Sequence, residues 1–164
     1  MIQIEKASVC HVEGISKVCA NGWRDTYMDL REKEYIDAVI EEFYQCERIC
    51  KEVTVPMKGW DGWYVALENG EVVGAGGGGM ISEETGELFV LYLNPSRRGE
   101  GIGTMLLHTI TERQIEQGAK EQWVSVMKGN QKGIPFYEAR GFVQQNSIDL
   151  TIRYRRDISY MDFE

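Results

Sequence analysis

The chain has 164 residues, 43% of them hydrophobic and 27% charged, the proportions of an ordinary globular protein large enough to bury one core. Lys and Arg number 18 against 26 Asp and Glu, and the resulting net charge of −8 argues against nucleic acid and anionic membrane as partners. No window reaches the ~18 consecutive apolar residues of a membrane span, and residues 1–6 alternate like a strand rather than a secretory leader, so a cytoplasmic location is expected.

Ile2 and Ile4 mark a short first strand, after which Ser8 is placed to cap a helix carrying Val12, Ile15, Val18 and Cys19 on one face. That helix runs toward Trp23-Arg24-Asp25-Thr26-Tyr27. A second helix is expected over residues 31–52, with Tyr35, Val39, Phe43 and Cys46 as its apolar stripe and Glu41, Glu42 and Glu47 on its solvated side. Residues 54–62 contain Pro56, Gly59, Trp60 and Gly62 and read as a loop. The four cysteines (Cys10, Cys19, Cys46, Cys50) fit reduced thiols, and with His11 and His108 as the only histidines no metal site is expected.

Two β-type runs, 63–67 and 71–75, meet at Glu68-Asn69-Gly70, a strong hairpin signal. Gly76-Gly77-Gly78-Gly79 weakens a strand. It reads either as a bent segment with room for a second backbone or a ligand, or as a permissive edge. A turn near Glu83-Glu84-Thr85-Gly86 leads to the apolar run Leu88-Phe89-Val90-Leu91-Tyr92-Leu93, which ends at Asn94-Pro95 because Pro removes a ladder donor. Arg97 and Arg98 then precede Gly99-Glu100-Gly101-Ile102-Gly103-Thr104 and a helix that Gly118 stops. Strand, basic glycine-rich turn and helix together describe an anion cradle: amides uncovered by side chains, with the helix dipole and arginine charge behind them.

Beyond the helix, residues 122–127 form a fifth strand, parallel to the fourth across a helical crossover. A short helix spans 130–139 with Pro135 near its front, Gly141-Phe142-Val143 restarts β structure, and the alternating residues 149–157 pair antiparallel with the fifth strand. No repeat or linker interrupts the chain, so residues 1–164 are expected to form a single domain.

Three readings compete for the cradle. A Walker loop needs a Lys before the Ser or Thr, where this chain has Gly103-Thr104. A dinucleotide fingerprint belongs directly after the first strand of a βαβ unit and has different glycine spacing. The third fits: Arg98-x-x-Gly101-x-Gly103 after a strand ending in x-Pro resembles the acyl-CoA turn of the GNAT superfamily of N-acetyltransferases. Downstream, Asn130-x-x-Gly133-x-x-Phe136-Tyr137-Glu138-x-x-Gly141-Phe142 resembles that family's second signature, with Gly133 in place of the usual Ala.

The resemblance covers essentially the whole chain and implies an α/β (α+β) GNAT fold. Its sheet is mixed and mostly antiparallel, with a parallel fourth–fifth strand pair splayed to hold acetyl-CoA and helices on its flanks. It implies an acetyl-CoA-dependent N-acetyltransferase that acts directly on a primary amine of a small molecule or peptide, with no metal; the acidic balance of the chain biases the acceptor toward a cationic one. Leu91, Tyr92 and Leu93 would meet the pantetheine arm, and Arg98, Gly99, Glu100, Gly101, Ile102, Gly103 and Thr104 the diphosphate. Tyr137 takes the position of the general acid. Asn130 would bind pantetheine or cap the Tyr137 helix. Glu87 is nominated as the base because relatives often carry a Glu there, and alternation puts it on one strand face with Phe89, Leu91 and Leu93.

Trp23-x-x-Thr26-Tyr27 resembles a segment of some polyamine-acetylating relatives. Trp23 and Tyr27 share a helix face and form either a cation-binding wall for the acceptor or simply core, with Trp60 and Trp63 as rim candidates. Late strands of the fold often pair subunits, which leaves a homodimer possible. The alternative from another class is a non-catalytic acyl-CoA-binding or regulatory module on the same fold.

Overall fold

The computed structural model describes residues 1–161. Its strands are Ile2–Lys6 (β1), Trp63–Glu68 (β2), Glu71–Met80 (β3), Thr85–Leu93 (β4), Glu121–Met127 (β5), Val143–Ile148 (β6) and Thr151–Asp157 (β7). The helices are Val12–Tyr27 (α1), Lys33–Phe43 (α2), Cys46–Thr54 (α3), Ile102–Glu116 (α4) and Gly133–Glu138 (α5). The strands form one sheet in the order β1-β2-β3-β4-β5-β7-β6, antiparallel except for the β4–β5 pair. The predicted order of elements is therefore observed, with one change: the second helix is two.

The break falls at Tyr44-Gln45, where neither Gly nor Pro marks it. Gln45 adopts an extended ψ of 149°, and its side chain accepts from the Arg48 N–H, capping α3. The Ser16 hydroxyl donates to the Tyr44 carbonyl and ties the joint to α1. The apolar face also differs from the expected stripe. Ile36 is buried with Val39 and Ile40 beside it, and Ile49 is buried on α3, whereas Tyr35 and Phe43 are each 40% exposed. Ser8 caps a short 3-10 turn, Val9–His11, rather than α1 itself; its N–H donates to His11 Nδ1 at 3.0 Å.

Helices α1–α3 cover one face of the sheet and α4 and α5 the other. Ile15, Cys19, Ile49, Trp63 and Val65 pack on the first side. Leu88, Leu106, Ile110, Val124, Tyr137 and Tyr154 pack on the second. The Asn69-Gly70 turn has φ of +52° and +82°, as a two-residue hairpin requires.

The glycine run lies inside β3, between β2 and β4, and is no edge. A Cβ on Gly79 would lie 2.1 Å from the Gly59 carbonyl oxygen, one on Gly77 2.4 Å from the Trp60 ring, and one on Gly78 2.1 Å from the Glu87 carbonyl oxygen. The run is glycine because the 55–62 loop presses on one face of the strand, while Ile110 and Gln114 of α4 and the neighbouring β4 backbone crowd the other.

That region contains the irregularity on which the site depends. Gly77 pairs with Val90 and Gly78 with Leu88, so Phe89 is an extra residue opposite nothing on β3. The bulge reverses the alternation. Leu88 lies on one face with Leu91 and Leu93, and Glu87 lies on the other with Val90 and Tyr92. Pairing of β4 with β5 runs from Thr85↔Glu121 to Leu88↔Val124 and stops at the bulge.

Candidate active site

Beyond Leu88 the two parallel strands diverge, and a cleft of about 280 Å³ opens between them. Phe89–Leu93 of β4 form one wall and residues 124–127 of β5 the other, closed at the sides by α1, the glycine turn and α5. Residues 91–93 pair with β3 on one side only, through Leu91↔Gly76, Tyr92↔Ala75 and Leu93↔Gly74. Their second side faces the cleft as an unpaired strand edge, which an extended ligand can join.

The glycine turn stands at one end. Gly99 and Gly101 have φ of +85° and +81°, a region that side chains rarely adopt, and a Cβ at either would meet no heavy atom within 4 Å. The backbone between them is therefore bare and open to approach. Gly101 is followed directly by α4, whose first amides and positive dipole end face the same place. Ile102 is buried in the core, so only its backbone serves the turn.

Two cations flank this end, and only one was anticipated. Arg98 lines the cleft, and so does Lys132 on the opposite bank. Asp25 of α1 joins them: it accepts from Arg98 at 3.2 Å and from Lys132 Nζ, and the lysine hydrogen bond above all holds its carboxyl below the ordinary range. Arg97 turns away from the turn. Its guanidinium grips Glu68 at 2.9 and 3.0 Å and Glu100 at 2.7 and 2.8 Å, so neither its charge nor the Glu100 side chain is directed at the cleft. Thr104 lies outside the cleft lining too, its hydroxyl oxygen accepting from Arg140.

Tyr137 of α5 lines the cleft, wedged between Phe136 and Phe142 with ring centroids 5.1 and 5.5 Å away. Burial pushes its phenol well above the ordinary range. Asn130 holds the loop before α5: its Oδ1 accepts from the N–H groups of Lys132 (3.1 Å) and Gly133 (2.7 Å), and its Nδ2 donates to the Tyr27 hydroxyl at 3.2 Å. Asn130 thus satisfies the amides that open α5 from two residues ahead of the N-cap position, Lys132, with a link to α1 added. A Cβ on Gly133 would sit 2.6 Å from Asn130 Nδ2, so the substitution of Gly for Ala in the signature lets this amide fold closely over the helix start.

Trp23 and Tyr27 both line the cleft yet are 8% and 4% exposed, their ring centroids 4.3 Å apart with the planes tilted by 46°, and packed with Ile36. They are core residues with one edge on the cavity. Tyr44 accepts from Trp23 Nε1 at 3.2 Å and lies edge-on to Tyr92, and burial raises the phenols of Tyr27, Tyr44 and Tyr92. Trp60 and Trp63 do not line the cleft; both indoles donate to Glu52, one to its carbonyl and one to its carboxylate.

Glu87 departs from its expected place. It lies outside the cleft lining, on the opposite face from Leu91 and Leu93, and its two oxygens accept from Arg153 at 2.8 and 3.0 Å. Arg153 reaches from β7 over β5, above the Trp123 ring, and also donates to Ser125 Oγ. The pair staples β4 to β7 at the closed end of the splay.

A cleft between splayed parallel strands, headed by a bare glycine turn, is also what the comparisons with known proteins return. Residues 21–142 match the Acetyltransferase (GNAT) family. The chain belongs to the GNAT family of acetyltransferases. Among curated relatives of this GNAT protein is the spermidine N(1)-acetyltransferase of Thermoplasma acidophilum, 28% identical over 142 residues that cover 86% of this chain and 88% of that one. The N-acetyltransferase YuaI of Bacillus subtilis, uncharacterized, is 29% identical over 145 residues, 85% of this chain and 79% of that one. The fold superposes on that of the Thermoplasma acidophilum PaiA N-acetyltransferase, solved in complex with coenzyme A, with a TM-score of 0.89 and 24% identity over 96% of this chain and 99% of that one. Like those proteins this chain is an acetyltransferase of the acetyl-CoA-dependent kind, and no helix among its described residues is long and apolar enough to cross a membrane.

Proposed function

We propose that this acetyltransferase moves the acetyl group of acetyl-CoA in one step onto a primary amine of a small molecule or peptide, polyamines being the first class to try. One observation carries the reading: Tyr137, the unpaired edge of 91–93 and the two ends of the bare turn, Arg98 and Gly103, all line the same cleft, with residues 99–102 just outside its lining. The substrate class draws support from the relative named for spermidine and from the net charge of −8, which favours an approaching cation.

Acetyl-CoA brings an activated acyl thioester; the chain supplies position and proton control. Amides of the glycine turn, with Arg98 and Lys132 beside them, are suited to the diphosphate. The backbone of Leu91 and Leu93 is suited to the amides of the pantetheine arm. Tyr137 keeps its proton because burial penalises the phenolate; it gives that proton to the departing thiolate, a base that has likewise lost its water, and is restored by the proton the neutral amine releases as its nitrogen is acylated, so that the amine proton ends on sulfur. Asn130 and Tyr27 fix the entrance to α5 and with it the direction of the phenol.

The test is acetyl-CoA consumption over a panel of polyamines, amino acids, aminoglycosides and peptide N-termini. Turnover on at least one amine is expected, with kcat lowered about 10²–10⁴-fold in Tyr137→Phe and affinity for CoA retained. Tight acetyl-CoA binding without turnover on any amine would instead mark a binding module.

A further inference from the structure

A second hollow, of about 230 Å³, lies between the outer side of α4, the end of α5 and the end of β7. Arg140 and Arg156 line it with Thr104 and Thr111. Six of the other eight arginines in this acidic chain sit against carboxylates: Arg48, Arg97, Arg98, Arg113, Arg153 and Arg155. Arg140 and Arg156 have no carboxylate within ion-pair distance among the described residues.

Their partners are neutral. Arg156, 8% exposed, donates to Gln122 Oε1 at 3.0 Å, to Thr111 Oγ1 at 3.0 Å and to the Arg140 carbonyl at 2.9 Å. Arg140 donates to Thr104 Oγ1 and to the Phe136 carbonyl. Each guanidinium also lies over an aromatic ring, Arg140 3.8 Å from Phe136 and Arg156 4.5 Å from Phe142. Ring faces and neutral oxygens ease the cost of burying a cation but leave its charge unmatched. Burial above all lowers Arg156 to about 10, with Tyr160 opposing the shift and the neighbouring Arg140 charge adding to it.

We propose that this hollow takes a phosphate monoester, held between the guanidinium groups of Arg140 and Arg156. Each group has N–H donors to spare after its protein bonds, and a planar fork suits phosphate oxygens better than any neutral ligand. In a chain of net charge −8 an anion is repelled at long range, so its site needs such a local concentration of positive charge. The hollow, against the ~30 Å³ share of one water, has room for the group. It also borders the cleft: Thr104 follows Gly103 and Arg140 stacks on Phe136, and both Gly103 and Phe136 line the cleft. The nearest source of a phosphate monoester is therefore the 3′-phosphate of coenzyme A, an identification that rests on the proposed function. A free phosphate is the other source.

Titration calorimetry in phosphate-free buffer, with CoA and 3′-dephospho-CoA against the wild type, Arg140→Ala and Arg156→Gln, separates the cases. CoA is expected to bind the wild type about ten- to a hundredfold more tightly than 3′-dephospho-CoA. Both variants should close that gap while leaving 3′-dephospho-CoA affinity unchanged; Arg140→Ala carries the test if Arg156→Gln fails to fold. Inorganic phosphate is titrated in parallel. If the two cofactor forms bind alike but phosphate raises the melting temperature of the wild type and not of Arg140→Ala, the pocket stands and its ligand is a separate phosphate. The same holds if neither cofactor form binds, in which case the proposed function fails on its own. Equal affinity for both cofactors with no phosphate response overturns the proposal.

Discussion

Tyr137, singled out by the spacing from Asn130 to Phe142, lines the cleft with its phenol kept protonated by burial. Glu87 is the instructive contrast. Its alternation with Phe89, Leu91 and Leu93 holds only for a regular strand, and the extra residue at Phe89 moves it to the other face. A bulge leaves no trace in a run such as Leu88-Phe89-Val90-Leu91, where every residue is apolar. The structure uses the Glu87 carboxylate to anchor Arg153, 11% and 23% exposed at their side chains. Glu87→Gln should therefore lower stability by about 1–3 kcal/mol in urea denaturation, the cost of weakening a largely buried charged hydrogen bond. It should leave kcat within about tenfold of the wild type, measured at saturating acceptor. A loss of about 10²–10⁴-fold would return the role of base to Glu87.

Elements were legible where local chemistry fixes them. Asn69-Gly70 announces its hairpin, Pro95 ends β4, and the glycine turn opens α4. The α2–α3 joint was not legible, because its causes are a side-chain cap from Gln45 and a hydroxyl from Ser16 on another helix. A single helical phase across both segments puts Tyr35 and Phe43 inward, whereas the joint resets the phase and buries Ile36 and Ile49. The glycine run in β3 was legible as an oddity but not as a cause. Its reason lies in Gly59, Trp60 and β4, far away in sequence or across the sheet. Gly79→Ala puts a Cβ 2.1 Å from a backbone oxygen that no rotamer change can move. A loss of about 1–3 kcal/mol is expected on chemical denaturation. A variant within about 0.5 kcal/mol of the wild type would mean that the 55–62 loop yields freely.

At the scale of the molecule, the order of elements with a single parallel pair is enough to place a ligand cleft at the centre of the sheet. Both signatures then fall on its banks. Long-range charge was the part out of reach. Asp25 between Arg98 and Lys132, Arg97 withdrawn onto Glu68, and Arg140 beside Arg156 all depend on residues brought together only by folding. The proposed function requires one placement: the turn of residues 98–104 receiving the cofactor's diphosphate while the thioester lies beside the Tyr137 hydroxyl. A crystal structure of the chain with coenzyme A measures this directly. The predicted result has diphosphate oxygens on the amides that follow Arg98, the pantetheine arm bonded along Leu91 and Leu93, and the sulfur within hydrogen-bond reach of Tyr137. A cofactor bound elsewhere, with the glycine turn bare, would contradict it.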